Sequence, residues 1–181
     1  MIPLRGDTVW RRVASIDERL LLSVRRLESR SMTRLMRALT HLGDTGSWVL
    51  TGLVLGVSGA AGQRECALLA TAALLALLVS HPLKRLCCRK RPSSGIGGFA
   101  ALVENPDVFS FPSGHTAVAF AVAAALAGQG GPLGALALTL AVGIAVSRVY
   151  LGAHYPLDVA AGVLVGVLAG TAARLLLGVV S

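Results

Sequence analysis

Three short clusters hold most of the residues in this chain whose types and spacing could act on a phosphate. The first is Lys84-Arg85-Leu86-Cys87-Cys88-Arg89-Lys90-Arg91-Pro92. Lys84 and Arg91 stand seven residues apart, two turns of helix, so a helix would present both cations on one face. Pro92 then forces the chain out of regular helix. Two cations converging at a helix end suit a phosphate. Taken alone, they suit a juxtamembrane patch for anionic headgroups equally well.

The second cluster is Phe111-Pro112-Ser113-Gly114-His115-Thr116. Pro112 is expected at the start of a helix, where free N–H groups form an anion site. Gly114 leaves room for close approach, and His115, one turn in, can serve as a general acid. The third runs Ser147-Arg148-Val149-Tyr150-Leu151-Gly152-Ala153-His154-Tyr155-Pro156-Leu157-Asp158. His154 and Asp158 are four apart and can meet across one helical turn. A carboxylate on one imidazole nitrogen would fix the tautomer and make the other nitrogen a better nucleophile. Arg148 would add a further contact to phosphate oxygen. An ordinary loop-bracing ion pair is the plain alternative for His154 and Asp158, as a satisfied structural histidine is for His115.

These clusters need elements to bring them together, and the composition says what kind. Of 181 residues, 54% are hydrophobic and 14% charged. No charged residue occurs between Asp107 and Arg148, between Asp44 and Arg64, or between Glu65 and Lys84. A membrane-spanning helix needs about 20 mostly apolar residues, and backbone in lipid must pair within itself. The expected fold is therefore all-α: a polytopic helical membrane protein with about five transmembrane helices. The spans run from about Thr45 to Gln63, Cys66 to Leu83, Pro112 to the Gly128–Pro132 breaker, Leu133 to Val146, and Pro156 to Leu177. Residues 1–43 form a basic amphipathic segment of one or two interfacial helices, with a capping box at Ser15 and Glu18. Residues 44–181 form the bundle. Gly52, Gly56 and Ala60 in the first span, and Gly162, Gly166 and Gly170 in the last, recur every fourth position. Such faces are expected to pack the bundle, without chemistry of their own.

The net charge of +8 comes from residues that flank the spans, which is the pattern of a membrane surface and not of a nucleic-acid binder. Three cysteines without a CxxC pair give neither a disulfide framework nor a zinc site, and no signal peptide is visible in the Arg-rich start. His41 and His81 lack a matching partner and are expected to be structural. With five spans, the first 43 residues, the 84–111 loop and the Arg148–Asp158 segment all fall on one side of the membrane.

In order and spacing the three clusters resemble the signature of the type 2 phosphatidic acid phosphatase superfamily, which includes membrane lipid phosphatases and vanadium haloperoxidases. The resemblance rests on Lys84 with Arg91-Pro92, on Pro112-Ser113-Gly114-His115, and on Ser147-Arg148 with His154 and Asp158. It covers roughly residues 80–160. It implies that Lys84, Arg91 and Arg148, helped by Ser113 and the backbone N–H of Gly114, hold a phosphate. It also implies that His154 attacks phosphorus, that Asp158 orients His154, and that His115 protonates the leaving oxygen and then activates water. No metal and no other cofactor is implied, and no acidic cluster able to hold two metals is present in the sequence.

The substrate implied is a lipid phosphate whose tail stays in the bilayer: a phosphatidyl or isoprenoid lipid, as monophosphate or diphosphate, with the isoprenoid class favoured. The Gly95–Gly98 loop would shape the headgroup entrance. The rival enzyme is a polyprenyl diphosphate phosphatase of lipid-carrier recycling; the rival of another class is a non-catalytic lipid carrier or scaffold. The site side carries nine arginines before residue 40 and six more cations from Lys84 to Arg148, against Arg64 and Arg174 opposite. The positive-inside rule then places the site on the cytoplasmic face of a bacterial membrane.

Overall fold

The computed structural model describes residues 7–105, 107–127 and 131–179. Its elements are α1 (Asp7–Arg25), α2 (Arg30–Leu42), α3 (Thr45–Val57), α4 (Gly59–Cys87), a single turn α5 (Pro92–Gly95), α6 (Gly114–Ala127), α7 (Pro132–Tyr150) and α8 (Pro156–Leu176). Among the described residues there is no strand, only one isolated bridge between Lys90 and Phe109. Helices α4, α7 and α8 are long and apolar enough to cross a membrane, and α3 and α6 are shorter apolar helices. The chain is a polytopic, all-α integral membrane protein.

Helix α6 is the hub. Most of its residues from Thr116 to Leu126 are buried, which is why its sequence is apolar all round and shows no amphipathic face. Ala117, Val118, Ala121 and Ala125 pack with Leu68, Ala72 and Ala76 of α4 and with Ala169 and Ala173 of α8. Ala119, Phe120 and Ala123 face Ala141, Ile144 and Ala145 of α7. The Gly162–Gly166–Gly170 stripe brings α8 against α6: a Cβ at Gly166 would stand 2.4 Å from the Ala117 carbonyl oxygen, and one at Gly170 2.2 Å from that of Ala121. The companion stripe in α3 behaves differently, since Gly56 faces open space and Gly52 meets only Cys66 at ordinary contact distance. Leu74, Leu78, Leu164, Leu168, Leu175 and Leu176 point outward, exposed, the surface a bilayer would cover.

Two boundaries differ from the sequence expectation. The turn between the first two spans falls at Ser58-Gly59, with Gly59 at φ 86°, and not at Arg64-Glu65, which lie inside α4. Only glycine takes that left-handed conformation without strain, whereas two charged residues can lie along the first turns of a helix. Helix α1 starts at Asp7, so Ser15 and Glu18 form no capping box, and the Ser15 hydroxyl instead donates to the Arg12 carbonyl within the helix. A true cap stands at Ser29, whose Oγ accepts from Met32 N–H at the start of α2. Helices α1 and α2 lie against the end of the bundle where α4 and α7 finish and α6 and α8 begin. Tyr150 of α7 meets Ser29 and Thr33, while Arg25 and Arg37 donate to the carbonyls of Ala100 and Leu102.

Candidate active site

The end of α7 is shaped so that Arg148 and His154 share a corner. The amides of Ala153 and His154 both donate to the Arg148 carbonyl, at 3.1 and 3.2 Å. Gly152 makes the turn at φ 70°, and a Cβ there would collide with the Phe99 ring at 2.6 Å. The six-residue separation is therefore the width of this corner. On the opposite wall, Lys84 stands in the last turn of α4, the chain turns at Cys88, and Arg91 precedes the single turn α5. Residues 109–110 are pinned back on 89–90: the Ser110 amide donates to the Arg89 carbonyl at 2.8 Å. His115 sits in the first turn of α6.

These segments enclose a cavity of about 420 Å³. Lys84, Arg91, Asp107, Gly114, His115, Arg148 and His154 line its polar end. Its flank is apolar, built by Trp48 and Val49 of α3 and by Ala70, Ala73, Leu74 and Leu77 of α4. Lys84, Arg91 and Arg148 are all buried. Arg91 donates from Nη1 to the Ala153 carbonyl at 2.7 Å and lies 3.3 Å from His154 Nε2. Arg148 donates to Thr40 Oγ1 at 2.6 Å and to Asn105 Oδ1 at 3.1 Å. Its Nε is buried without a partner.

His154 has a partner at each ring nitrogen, the Ser110 carbonyl at Nδ1 and the Arg91 guanidinium at Nε2. Its Nδ1 lies 2.7 Å from the Ser110 carbonyl oxygen, which can only accept, so Nδ1 carries the proton; Nε2 faces the Arg91 guanidinium, which can only donate, so it presents the lone pair. Burial, and then the charges of Arg148, Arg91 and Lys84, push its pKa well below the ordinary histidine value. Asp158, expected to orient this ring, approaches Nδ1 only to 3.8 Å, beyond a hydrogen bond. Its oxygens are used elsewhere: Oδ2 accepts from the Tyr155 amide at 2.9 Å, closing the first turn of α8, and Oδ1 accepts from Arg89 at 2.7 Å. Asp158 is thus a counter-ion behind the histidine, and a backbone carbonyl sets the tautomer.

Two more expectations change. Ser113 is fully buried behind the cavity wall; its amide donates to the Asp158 carbonyl at 3.0 Å and its Oγ accepts from Thr116 at 3.0 Å. Gly114, the next residue, does reach the cavity. Pro112 lies before α6, and the helix starts at Gly114 and not at the proline. Gly95, Gly97 and Gly98 do not line the cavity, whereas Ser80 and His81 do.

Several site residues carried no sequence signal that singled them out. The Asp107 carboxylate bonds both Lys84 and Arg91, occupying the two cations that would hold a phosphate. Partial burial raises its pKa, but the bonds from Lys84 and Arg91 outweigh this and hold it below the usual carboxylate value. Asn105 Oδ1 joins Arg91 to Arg148. Asp44 accepts from His115 Nε2 at 2.9 Å and from His41 Nδ1 at 2.8 Å. Arg89 bridges Asp158 to the buried Asp17 of α1, at 2.5 Å, and lies over the Tyr155 ring. The available clue was position: Asp44 and Asp107 are the carboxylates bordering charge-free stretches on the side of the site.

Three cations, an imidazole whose Nε2 lone pair faces Arg91 in the cavity and a second histidine on a carboxylate are a set suited to phosphoryl transfer, where positioning and positive charge around the phosphoryl oxygens do most of the work. Comparison with known proteins points the same way. The chain is 35% identical over 135 residues to decaprenylphosphoryl-5-phosphoribose phosphatase of Mycobacterium tuberculosis, covering 74% of each chain. It is 37% identical over 129 residues to the putative undecaprenyl-diphosphatase YbjG of Escherichia coli, covering 70% of this chain and 65% of that one. Its fold matches the crystal structure of a transmembrane PAP2 type phosphatidylglycerolphosphate phosphatase from Bacillus subtilis with a TM-score of 0.76 at 26% identity, over 93% of this chain and 88% of the other. It matches Aquifex aeolicus LpxE with a TM-score of 0.73 at 25% identity, over 86% and 92%. The family model of the PAP2 superfamily matches residues 65–179, which span α4 to α8 and all three clusters, and the chain belongs to that superfamily.

Proposed function

We propose that this protein is a membrane lipid phosphatase that cleaves a phosphate monoester through a phosphohistidine at His154. The observation that carries the reading is the two-sided cavity, with cations and two histidines at one end and an apolar flank of α3 and α4 running from it. Such a cavity suits a ligand with a phosphate head and a hydrocarbon tail. Lys84, Arg91 and Arg148 would take the phosphate oxygens, with the Gly114 amide beside them. The phosphate would displace Asp107 and draw Arg91 off His154 Nε2, freeing the lone pair. Nε2 then forms a bond to phosphorus as the ester P–O bond breaks, and the leaving oxygen receives a proton from His115. Water next attacks the phosphohistidine, gives its proton to His115, and releases inorganic phosphate.

The decaprenylphosphoryl-5-phosphoribose phosphatase relatives favour an isoprenoid-linked phosphosugar as substrate. The similarity to YbjG supports a second reading, a polyprenyl diphosphate. The excess of cations at the site end favours a cytoplasmic-facing site in a bacterial membrane. Cys88, exposed beside the site, should then resist a membrane-impermeant maleimide in intact cells; labelling from outside would reverse the orientation.

A phosphate-release assay in detergent tests the function. The panel is dioleoylphosphatidic acid, phosphatidylglycerol phosphate, decaprenylphosphoryl-5-phosphoribose and undecaprenyl diphosphate, each with and without chelator. Release from at least one monoester, insensitive to chelator and abolished by His154→Ala, is expected. No release from any of them, or equal release by His154→Ala, would overturn the reading.

A further inference from the structure

Asp158 stands 3.8 Å from His154, but the site histidine that a carboxylate meets at hydrogen-bond distance is His115, held by Asp44. Asp44 is the residue before α3, the N-cap position, yet its side chain caps nothing. An aspartate there ordinarily accepts from the amides of the first helical turn. Here both oxygens are spent on histidines: Oδ1 on His115 Nε2 at 2.9 Å and Oδ2 on His41 Nδ1 at 2.8 Å. The corner is built for this contact. Gly43 packs so closely that a Cβ there would lie 3.2 Å from His115 Cδ2 and 3.0 Å from the Ile144 side chain. The other charges acting most strongly on His115 are cations, Arg148 from α7 and Lys84 from α4; Asp107 shares the cavity but is bonded to Lys84 and Arg91, and Asp44 is the carboxylate bonded to His115.

We infer that Asp44 is a positioning residue for the general acid: it fixes the His115 ring, commits Nε2, and leaves Nδ1 to pass the proton to and from the reacting oxygens. The inference rests on the phosphatase reading above. In the first half-reaction the P–O bond breaks, its electrons go to the leaving oxygen, and the proton on His115 Nδ1 follows them. In the second, water loses a proton to Nδ1 as its oxygen bonds to phosphorus and the P–N bond breaks. His115 ends each cycle protonated as it began, with Asp44 balancing that charge among the neighbouring cations. Although partial burial works to raise the Asp44 pKa, hydrogen bonds from His41 and His115 outweigh it and hold the carboxyl below its usual value, so it is charged at neutral pH.

The test separates proton donation from folding through the leaving group. An alkoxide needs a proton to depart; p-nitrophenolate does not. In Asp44→Asn, steady-state release from the fastest monoester of the panel should fall about a hundredfold or more, the usual worth of a general acid. With p-nitrophenyl phosphate the same variant should release one nitrophenol per chain in a burst within about threefold of the wild-type rate, because a low-pKa leaving group needs little acid catalysis. Slow turnover should follow, since the second half-reaction still needs His115 as base. Wild-type activity on the lipid, or a burst slowed as much as lipid turnover, would overturn the inference. Asparagine and serine cap helices as well as aspartate; if Asp44→Asn does not accumulate, Asp44→Ser decides by the same two readouts. Wild-type protein inactive on every monoester would instead sink the phosphatase reading itself.

Discussion

In the proposed mechanism Asp107 competes with the substrate phosphate for Lys84 and Arg91, and removing its charge should make the site bind anions more tightly. In Asp107→Asn, Lys84 and Arg91 lose a carboxylate that bonds both of them. A hydrogen bond to a charged group contributes about 1.5–3 kcal/mol in a shielded setting. The Asp107 side chain is 42% exposed, so solvent screening reduces the two contacts together to about 1–2 kcal/mol. That is the cost an incoming phosphate must meet, and its loss corresponds to roughly five- to thirtyfold tighter binding. The assay is competitive inhibition of p-nitrophenyl phosphate hydrolysis by orthophosphate and orthovanadate. Both Ki values should fall by that factor in Asp107→Asn. Unchanged or weaker inhibition would refute the idea that the carboxylate competes for the phosphate position.

Other consequences follow from the same geometry. Arg89→Gln strips the counter-ion from Asp17 and Asp158, both buried; breaking a buried pair this way costs about 3–5 kcal/mol, seen as a large drop in Tm in detergent. Gly166→Ala drives a Cβ onto the Ala117 carbonyl at 2.4 Å and should destabilise by about 1–3 kcal/mol through overpacking, again read as Tm. The His154 pKa is depressed in the folded protein, so the unfolded chain takes up a proton there first. The contribution of His154 to stability is therefore complete above the ordinary histidine value of about 6.5 and is lost as pH falls through it towards the lower folded value. Ring NMR in detergent should find His154 neutral and Nδ1-protonated at pH 6, with His154→Asn supplying the assignment; an imidazolium signal there would contradict the hydrogen bond to Ser110.

The parts of the site fixed by residue type were legible in the sequence, and the parts fixed by neighbours were not. Lys84, Arg91, Arg148, His115 and His154 could be picked out because they are cations and imidazoles grouped at the edges of long charge-free stretches. Helical spacing placed Asp158 beside His154, 3.8 Å away, but could not show which groups hydrogen-bond each of them. His154 and Asp158 stand one turn apart, but Asp158 sits in the first turn of α8, where the Tyr155 amide and Arg89 claim its oxygens. The group that replaces it on His154 is the Ser110 carbonyl, and a backbone oxygen has no residue-type signature. Asp44 and Asp107 reach the site only after α3 and the 96–111 loop are placed, across separations of 71 residues to His115 and 23 to Lys84. In the fold, apolar stretches gave the spans while glycine conformation set the turn: Ser58-Gly59 ends α3 ahead of the charged pair at Arg64-Glu65.

The mechanism stands or falls on a bond between His154 Nε2 and phosphorus. Purified protein should be mixed with radiolabelled phosphatidic acid or p-nitrophenyl phosphate in chelator, quenched in base within the first turnover, and mapped by mass spectrometry. Up to one phosphate per chain is expected on His154, stable to base, lost in acid, and absent from His154→Ala. Label on another residue, or full turnover by His154→Ala, would contradict the phosphohistidine.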